Sequence, residues 1–452
     1  MSIQKGNEKI ISAWCWYDWA NSAYPLVITT AVFPLYFAAV TKAGGLETIS
    51  ILGSAIKNSE FYSYLVSLSF FCVALISPML SGIADFAGRK KLFMQIFTVV
   101  GTVSSIMLFF FTSRDNLWIG VGFSITASIG FAGSLVFYNA FLPEIVEEKQ
   151  MDHVSARGFT MGYIGSSLLL VVCFLLIMKP GLFGIPNLAS GAPDTALATR
   201  ITFLLAGLWW LGFALRSFSG LPTYTRGREG RSGHLLVHGY RELRGVIRQL
   251  RQPAQAKIRM FLLGFFFCAL GYMTVIYLAT FFGKEEIHLE DSELMVTVLI
   301  IQLVAIGGSH LFAWISGRIG NIPALMWTAV IWALVCGVTY FVTTKPAFYG
   351  VALVVGLVMG GIQALARSTY GKLLPETEDH ASYYSFYELT EKMATTAGTF
   401  SYGLIIHVTG TMRNASLFIG CMFLLGIGFL YWAHATASNA RRRWVGDPPP
   451  HP

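Results

Sequence analysis

Five ionisable side chains interrupt long apolar runs in this sequence. Asp18 is the only charge between Ile10 and Val40, Arg367 sits in "GIQALARSTYG", and Glu388, Glu391 and Lys392 sit in "SFYELTEKMATTAG". Opposite charges in apolar surroundings form ion pairs, a carboxylate there can exchange a proton, and an arginine can hold a carboxylate through two parallel bonds. Asn21 lies three residues beyond Asp18, on the same helix face. Glu388 and Lys392 are four apart and placed to pair along one helix, which leaves Glu391 to face elsewhere. Neutral polar groups recur in other apolar runs: Tyr24, Tyr138, Asn139, Tyr272, Gln363 and Tyr370. This is chemistry of pairing, proton exchange and solute contact. The six cysteines stand singly, the histidines are scattered mainly in loops, and no phosphate-binding loop precedes a helix. No catalytic group, metal or cofactor is therefore expected, and the chain does not read as an enzyme.

Such residues need long helices to hold them at depth. The 452 residues are 54% hydrophobic and 12% charged, against about 25% charged in a soluble domain. Apolar stretches close to the ~20 residues of a membrane crossing recur along the chain, and inside lipid they must be helical. Twelve spans are expected: 10–40, 61–84, 92–112, 117–143, 157–178, 198–216, 258–282, 294–317, 322–343, 347–374, 383–408 and 414–436. Span 10–40 is too long to cross straight, so it should tilt, protrude or bend near Pro25 or Pro34. Most of the basic residues, including the run from Arg216 to Arg259, fall on one side of this arrangement. Positive residues stay inside, so both termini are expected in the cytoplasm, in a plasma (inner) membrane. The net charge of +8 is then an orientation signal, and no nucleic-acid partner is implied. Trp14 and Trp16 suit an interfacial belt, with Asp18 roughly 13 Å along the helix from Ile10.

The chain also repeats itself. "YNAFLPE" (Tyr138–Glu144) ends span 4 and "YGKLLPE" (Tyr370–Glu376) ends span 10, and at the same offset Gly88 maps to Gly320. Two homologous halves are implied, a hallmark of secondary transporters. The expected division is a six-helix bundle over 1–216, a basic linker over 217–257, and a second bundle with its tail over 258–452. Within the linker, His234–Leu250 reads as an amphipathic surface helix.

Between spans 2 and 3 runs "GIADFAGRKK", which resembles the loop motif of the major facilitator superfamily through Gly82, Asp85, Gly88, Arg89 and Lys90. Glycines allow a tight turn, and an acid beside an arginine can close a charge-assisted latch. The second-half counterpart, "WISGRIGN", lacks the acid. With this loop, "DWANSAY" and the "YNAFLPE" and "RSTYGKLLPE" span ends make the chain resemble the vacuole-effluxer family, whose fungal members export amino acids.

The resemblance implies an all-α membrane protein of twelve transmembrane helices in two six-helix bundles, with spans 1, 4, 7 and 10 around a central cavity. It implies a secondary transporter, acting as a monomer, that moves a small polar solute, with amino acids as precedent and protons as a candidate coupling partner. Gating or coupling falls to Asp18, Asn21, Arg367, Glu388, Glu391, Lys392 and the loop residues Gly82, Asp85, Gly88, Arg89 and Lys90. The cavity candidates are Tyr24, Tyr138, Asn139, Tyr272, Gln363 and Tyr370. Two other readings stay open: an exporter of an amphipathic or lipid-like compound, and a membrane receptor or scaffold that does not transport.

Overall fold

Pro25 decides the shape of the first helix. In the computed structural model, which describes residues 5–42, 48–51, 54–87, 89–223, 244–375 and 380–446, α1 covers Glu8–Thr41. The Asn7 side chain caps its start, accepting the Lys9 N–H at 3.0 Å. The helix is α-helical to Asn21. Proline has no N–H to continue the ladder, and from Tyr24 to Val32 the backbone widens into a π-helix. The Phe33 N–H, for example, bonds the Ile28 carbonyl five residues back. α-Helical geometry resumes over Phe33–Thr41. Such widened turns are rare and recur at functional sites.

Eleven more long helices follow among the described residues: α2 (Asn58–Ala87), α3 (Lys90–Met107), α4 (Leu117–Ile145), α5 (Met151–Met178), α6 (Thr195–Gly220), α7 (Ala256–Glu285), α8 (Asp291–Ile319), α9 (Asn321–Phe341), α10 (Lys345–Leu373), α11 (His380–Thr409) and α12 (Met412–Gly446). Ten of the twelve are long and apolar enough to cross a membrane; α2 contributes a shorter apolar core, Tyr64–Ile76, and α11 carries Glu388, Glu391 and Lys392. A small antiparallel hairpin, β1 (Thr48–Ile51) and β2 (Ser54–Lys57), lies between α1 and α2.

The helices form two bundles of six that meet along two long seams. α2 runs beside α11, and α5 beside α8 and α10. Polar contacts mark both seams: Ser67 and Thr399 hydroxyls are 2.7 Å apart across the first, and Thr160 and Ser309 hydroxyls 3.2 Å apart across the second. Within the first bundle α3 and α4 approach so closely at Gly101 and Gly130 that a Cβ on Gly130 would strike the opposite backbone. The outer surface is apolar, with Leu75, Leu215, Leu334, Phe341 and Leu424 all exposed. That is the surface a bilayer covers, and the protein is a multi-pass integral membrane protein.

Trp14 departs from the sequence reading. It is buried rather than in an interfacial belt; its indole N–H donates to the Tyr138 carbonyl at 2.9 Å and its ring stacks on Tyr138. Of the linker, 224–243 lies outside the described residues, so only 244–250 of the expected surface helix is described, and it is helical.

Candidate functional site: a charged cavity between the halves

Asp18 lies ten residues past the start of α1, roughly 15 Å along it. One carboxylate oxygen accepts the Arg367 guanidinium of α10 at 3.1 Å, and the two side chains belong to different bundles. Both are almost fully buried, at 4% and 3% exposure. The rest of the guanidinium is anchored on α5, where Nε donates to the Ser155 hydroxyl at 3.0 Å and Nη2 to the Ser155 carbonyl at 2.7 Å. The rings of Trp14, Phe159 and Tyr138 surround its face, with Phe159 at 4.0 Å. A charge in such a place needs this many partners, because burying it alone is far more costly than burying it paired.

Gly158 of α5 makes room for the pair. A Cβ there would collide with the Asp18 carboxylate and lie 2.9 Å from Arg367 Nη2. Gly158→Ala should therefore destabilise the protein by roughly 1–3 kcal/mol. Gly181→Ala, at a position with open space around it, should be near neutral. Denaturation midpoints of the two purified variants compare them directly.

The second charged group belongs to α11. Lys392 bonds Glu391 and lies 3.4 Å from Glu388 Oε2. Glu391 does not face elsewhere as its spacing suggested; it also accepts the Tyr272 hydroxyl of α7 at 3.2 Å. Glu388 reaches across the halves, its Oε1 accepting the Asn139 side-chain N–H of α4 at 2.8 Å. Phe70 of α2 lies against the ammonium, 5.5 Å from ring centre to Lys392 Nζ.

Between these two groups lies a cavity of about 140 Å³. Asp18, Asn21, Asn139, Tyr272, Gln363, Arg367, Glu388, Glu391 and Lys392 all line it, so α1, α4, α7 and α10 contribute as expected, joined by α5, α8 and α11. The Tyr163 hydroxyl of α5 donates to Gln363 at 2.7 Å across it. Three of the cavity candidates do not line it. Tyr24 turns into the first bundle, its hydroxyl 2.9 Å from that of Ser128, Tyr138 lies beneath Trp14, and Tyr370 donates to the Tyr383 carbonyl at 2.7 Å. A second, apolar space shares Thr30, Ile276, Gln302 and Met359 with the cavity and reaches Leu294 at the start of α8.

The opposite end is closed by charge. We call it the N-terminal face, because the Gly6 N–H bonds the Ile145 carbonyl at the end of α4 there. Asp152, in the first turn of α5, takes the Lys372 ammonium of α10 at 2.6 Å, the Asn321 side-chain N–H at 2.7 Å and the Ser316 hydroxyl at 3.0 Å. Lys372 also donates to Asn321 Oδ1 at 3.1 Å. Ser316 and Asn321 belong to "WISGRIGN", the loop without its own acid; the first half supplies one. Of the first-half loop, Gly88 lies outside the described residues, as do the surroundings of Gly82 and Asp85; Arg89 is exposed and Lys90 pairs with Glu144 of α4.

Comparison with known proteins gives this arrangement a lineage. The model of the family "Vacuole effluxer Atg22 like" matches residues 6–442. The chain belongs to that family. The Atg22-like chain is 32% identical to the uncharacterized MFS-type transporter YxiO of Bacillus subtilis, over 97% of this chain and 98% of that protein. It is 24% identical to autophagy-related protein 22-1 of Aspergillus niger, over 86% of this chain and 75% of that protein. Among solved structures it superposes on the human organic anion transporter MFSD10 with a TM-score of 0.70 at 13% identity, covering 94% of this chain and 100% of that one. The proton:xylose symporter XylE gives 0.69 at 13% identity, over 94% of each chain. The fold of the Atg22-like chain is thus the major facilitator fold.

Ser155 and Asp152 are among the residues of the charge network that escape sequence reading. Ser155 carries no signal, being one of many hydroxyls in spans. Asp152 reads as a loop acid beside Lys149, solvated and ordinary. The available hint was the missing acid of "WISGRIGN", which called for a carboxylate from elsewhere.

Proposed function

We propose that this protein is a secondary transporter that carries a small polar solute by alternating access, the two bundles rocking about the cavity between them. The observation that carries the reading is a buried, charged cavity at mid-depth whose N-terminal side is held shut by bonds between the halves, Asp18–Arg367 and Asp152–Lys372. Those bonds form only when the bundles meet on that side, so they favour one state and break in the other. The distribution of basic residues supports a cytoplasmic location for that side, in a monomer of the plasma (inner) membrane, and on this reading the described state is the one closed inward. The domain boundaries follow the same reading, with bundles over 1–216 and 258–452 joined by the 217–257 linker.

A cavity of about 150 Å³ holds a molecule the size of benzene, so the solute has on the order of six to ten non-hydrogen atoms. Amino acids fall in that range. Coupling to protons is assigned to the α11 acids more than to Asp18, because Asp18 has an arginine of its own whereas Glu388 and Glu391 share one lysine. A receptor or scaffold would suit a cavity plugged by large side chains, and this one is open. The test is counterflow in proteoliposomes with a panel of labelled amino acids and amines, with and without a pH gradient. Exchange of at least one solute, lost in Arg367→Met, is the expected result; no exchange of any solute by well-folded protein would retire the transport reading.

A further inference from the structure

Three buried polar atoms on residues that line the cavity have no hydrogen-bond partner: Asn139 Oδ1, Glu388 Oε2 and Asn21 Nδ2. Buried polar atoms are nearly always satisfied, so a set of orphans around one space marks what the space takes. Two of the three are acceptors, and they belong to one contact. Asn139 gives its N–H to Glu388 Oε1, and a carboxylate can only accept, so the amide must point its nitrogen there and leave Oδ1 free. Glu388 Oε2 has Lys392 at 3.4 Å but no hydrogen bond, since Glu391 engages that ammonium more closely. An adjacent amide oxygen and carboxylate oxygen, both unfilled, call for a donor with several N–H groups.

Charge points the same way. The lining holds three carboxylates, Asp18, Glu388 and Glu391, against two cations, Arg367 and Lys392. Neither cation is available to an incoming carboxylate. Arg367 is held by Asp18 and by both oxygens of Ser155, and Lys392 by its hydrogen bond to Glu391. Apart from Asp18 and Arg367, which pair with each other, the polar groups that other elements bring to the lining near Glu388 are neutral among the described residues, including Asn139 of α4 and Tyr272 and Tyr277 of α7. With all three acids ionised, a solute of net positive charge completes this balance and a zwitterion or an anion does not.

We infer that Glu388 and Asn139 form an ammonium subsite, and that the solute is a cation bearing a primary amine. The inference rests on the transport reading only for the word solute; the subsite stands or falls on binding. At the other end Asn21 Nδ2 offers one neutral donor to a hydroxyl or carbonyl. The ammonium donates to Glu388 Oε2 and Asn139 Oδ1, and its alkyl part lies along Met273, Ile276 and Met359.

The test compares three probes with matched alkyl chains: butylamine, norvaline and valerate, as cation, zwitterion and anion. Thermal stabilisation of the purified full chain, titrated with each, should rank butylamine first by a wide margin. Glu388→Gln should weaken butylamine by on the order of tenfold to a hundredfold, the worth of a hydrogen bond to a charged group. Asn139→Asp adds a second carboxylate and should tighten it, a gain that misfolding cannot produce. Norvaline or valerate stabilising as strongly as butylamine would overturn the subsite, and so would unchanged butylamine binding in both variants. The two readings separate in proteoliposomes. Butylamine binding without exchange keeps the subsite and retires transport, whereas exchange of norvaline in preference to butylamine keeps transport and overturns the subsite.

Discussion

Arg367→Met should lower the stability of the protein by about 3–5 kcal/mol, the cost of stripping a buried carboxylate of its paired cation. Asp18 has a side chain 6% exposed and its ion pair is with Arg367. Asp18→Asn should be costly too, since it leaves the guanidinium inside the same aromatic cage with only Ser155 for company. The double variant Asp18→Asn, Arg367→Met removes both charges and should recover most of the loss. The reason is that a buried pair replaced by neutral groups is close to neutral overall, while a broken pair is not. Unfolding of the four proteins in one detergent gives the cycle, and the expected signature is strong non-additivity. Additive losses would mean that the two groups are satisfied independently, and the closure assigned to their bond would fall with them.

Asp152→Ala should release the N-terminal face. Four hydrogen bonds converge on Asp152, Lys372 and Asn321, joining α5 of one half to α8, α9 and α10 of the other. Without the carboxylate, Lys372 is left half-buried with one neutral partner, and the state that separates these helices gains relative weight. A cysteine at cavity residue Tyr163, in a background without the native cysteines, reports the change. Its labelling from the N-terminal face should rise at least tenfold, the equivalent of 1.4 kcal/mol in the opening equilibrium. Lys372→Gln should act in the same direction. Labelling that stays at the parent rate in both variants would show that the cluster holds nothing shut.

The charges inside spans were legible because they violate composition. Asp18, Arg367 and Lys392 stand out in any apolar run, and cost alone says that they must find partners. The cavity tyrosines were harder. Tyr138 and Asn139 are neighbours in the chain and point about 100° apart on a helix, so both cannot face one cavity; the structure turns Asn139 inward. Tyr24 begins the π-helix, where the spacing rule that links Asp18 to Asn21 no longer holds, and a face count carried through Pro25 goes astray. Asp152 was invisible for the opposite reason to Asp18. At the edge of a span a carboxylate is cheap, and nothing in its own stretch distinguishes a solvated acid from one bonded to three groups of the other half.

The Asp18–Arg367 contact has a further meaning for how the protein is made. Its partners are 349 residues apart. At about 5–20 residues per second, α1 enters the membrane roughly 20 to 70 s before α10 exists. For that interval the nascent chain carries a carboxylate whose eventual counter-ion is still untranslated, at a standing cost of about 2.5–3.5 kcal/mol on insertion scales. The first six helices therefore leave the ribosome with that carboxylate still lacking its Arg367 partner, and the pair can form only once α10 arrives. Assembly quality is then checked by the last third of the chain: a truncated copy lacking α10 exposes an unneutralised acid inside the bilayer, the kind of defect that membrane quality control recognises.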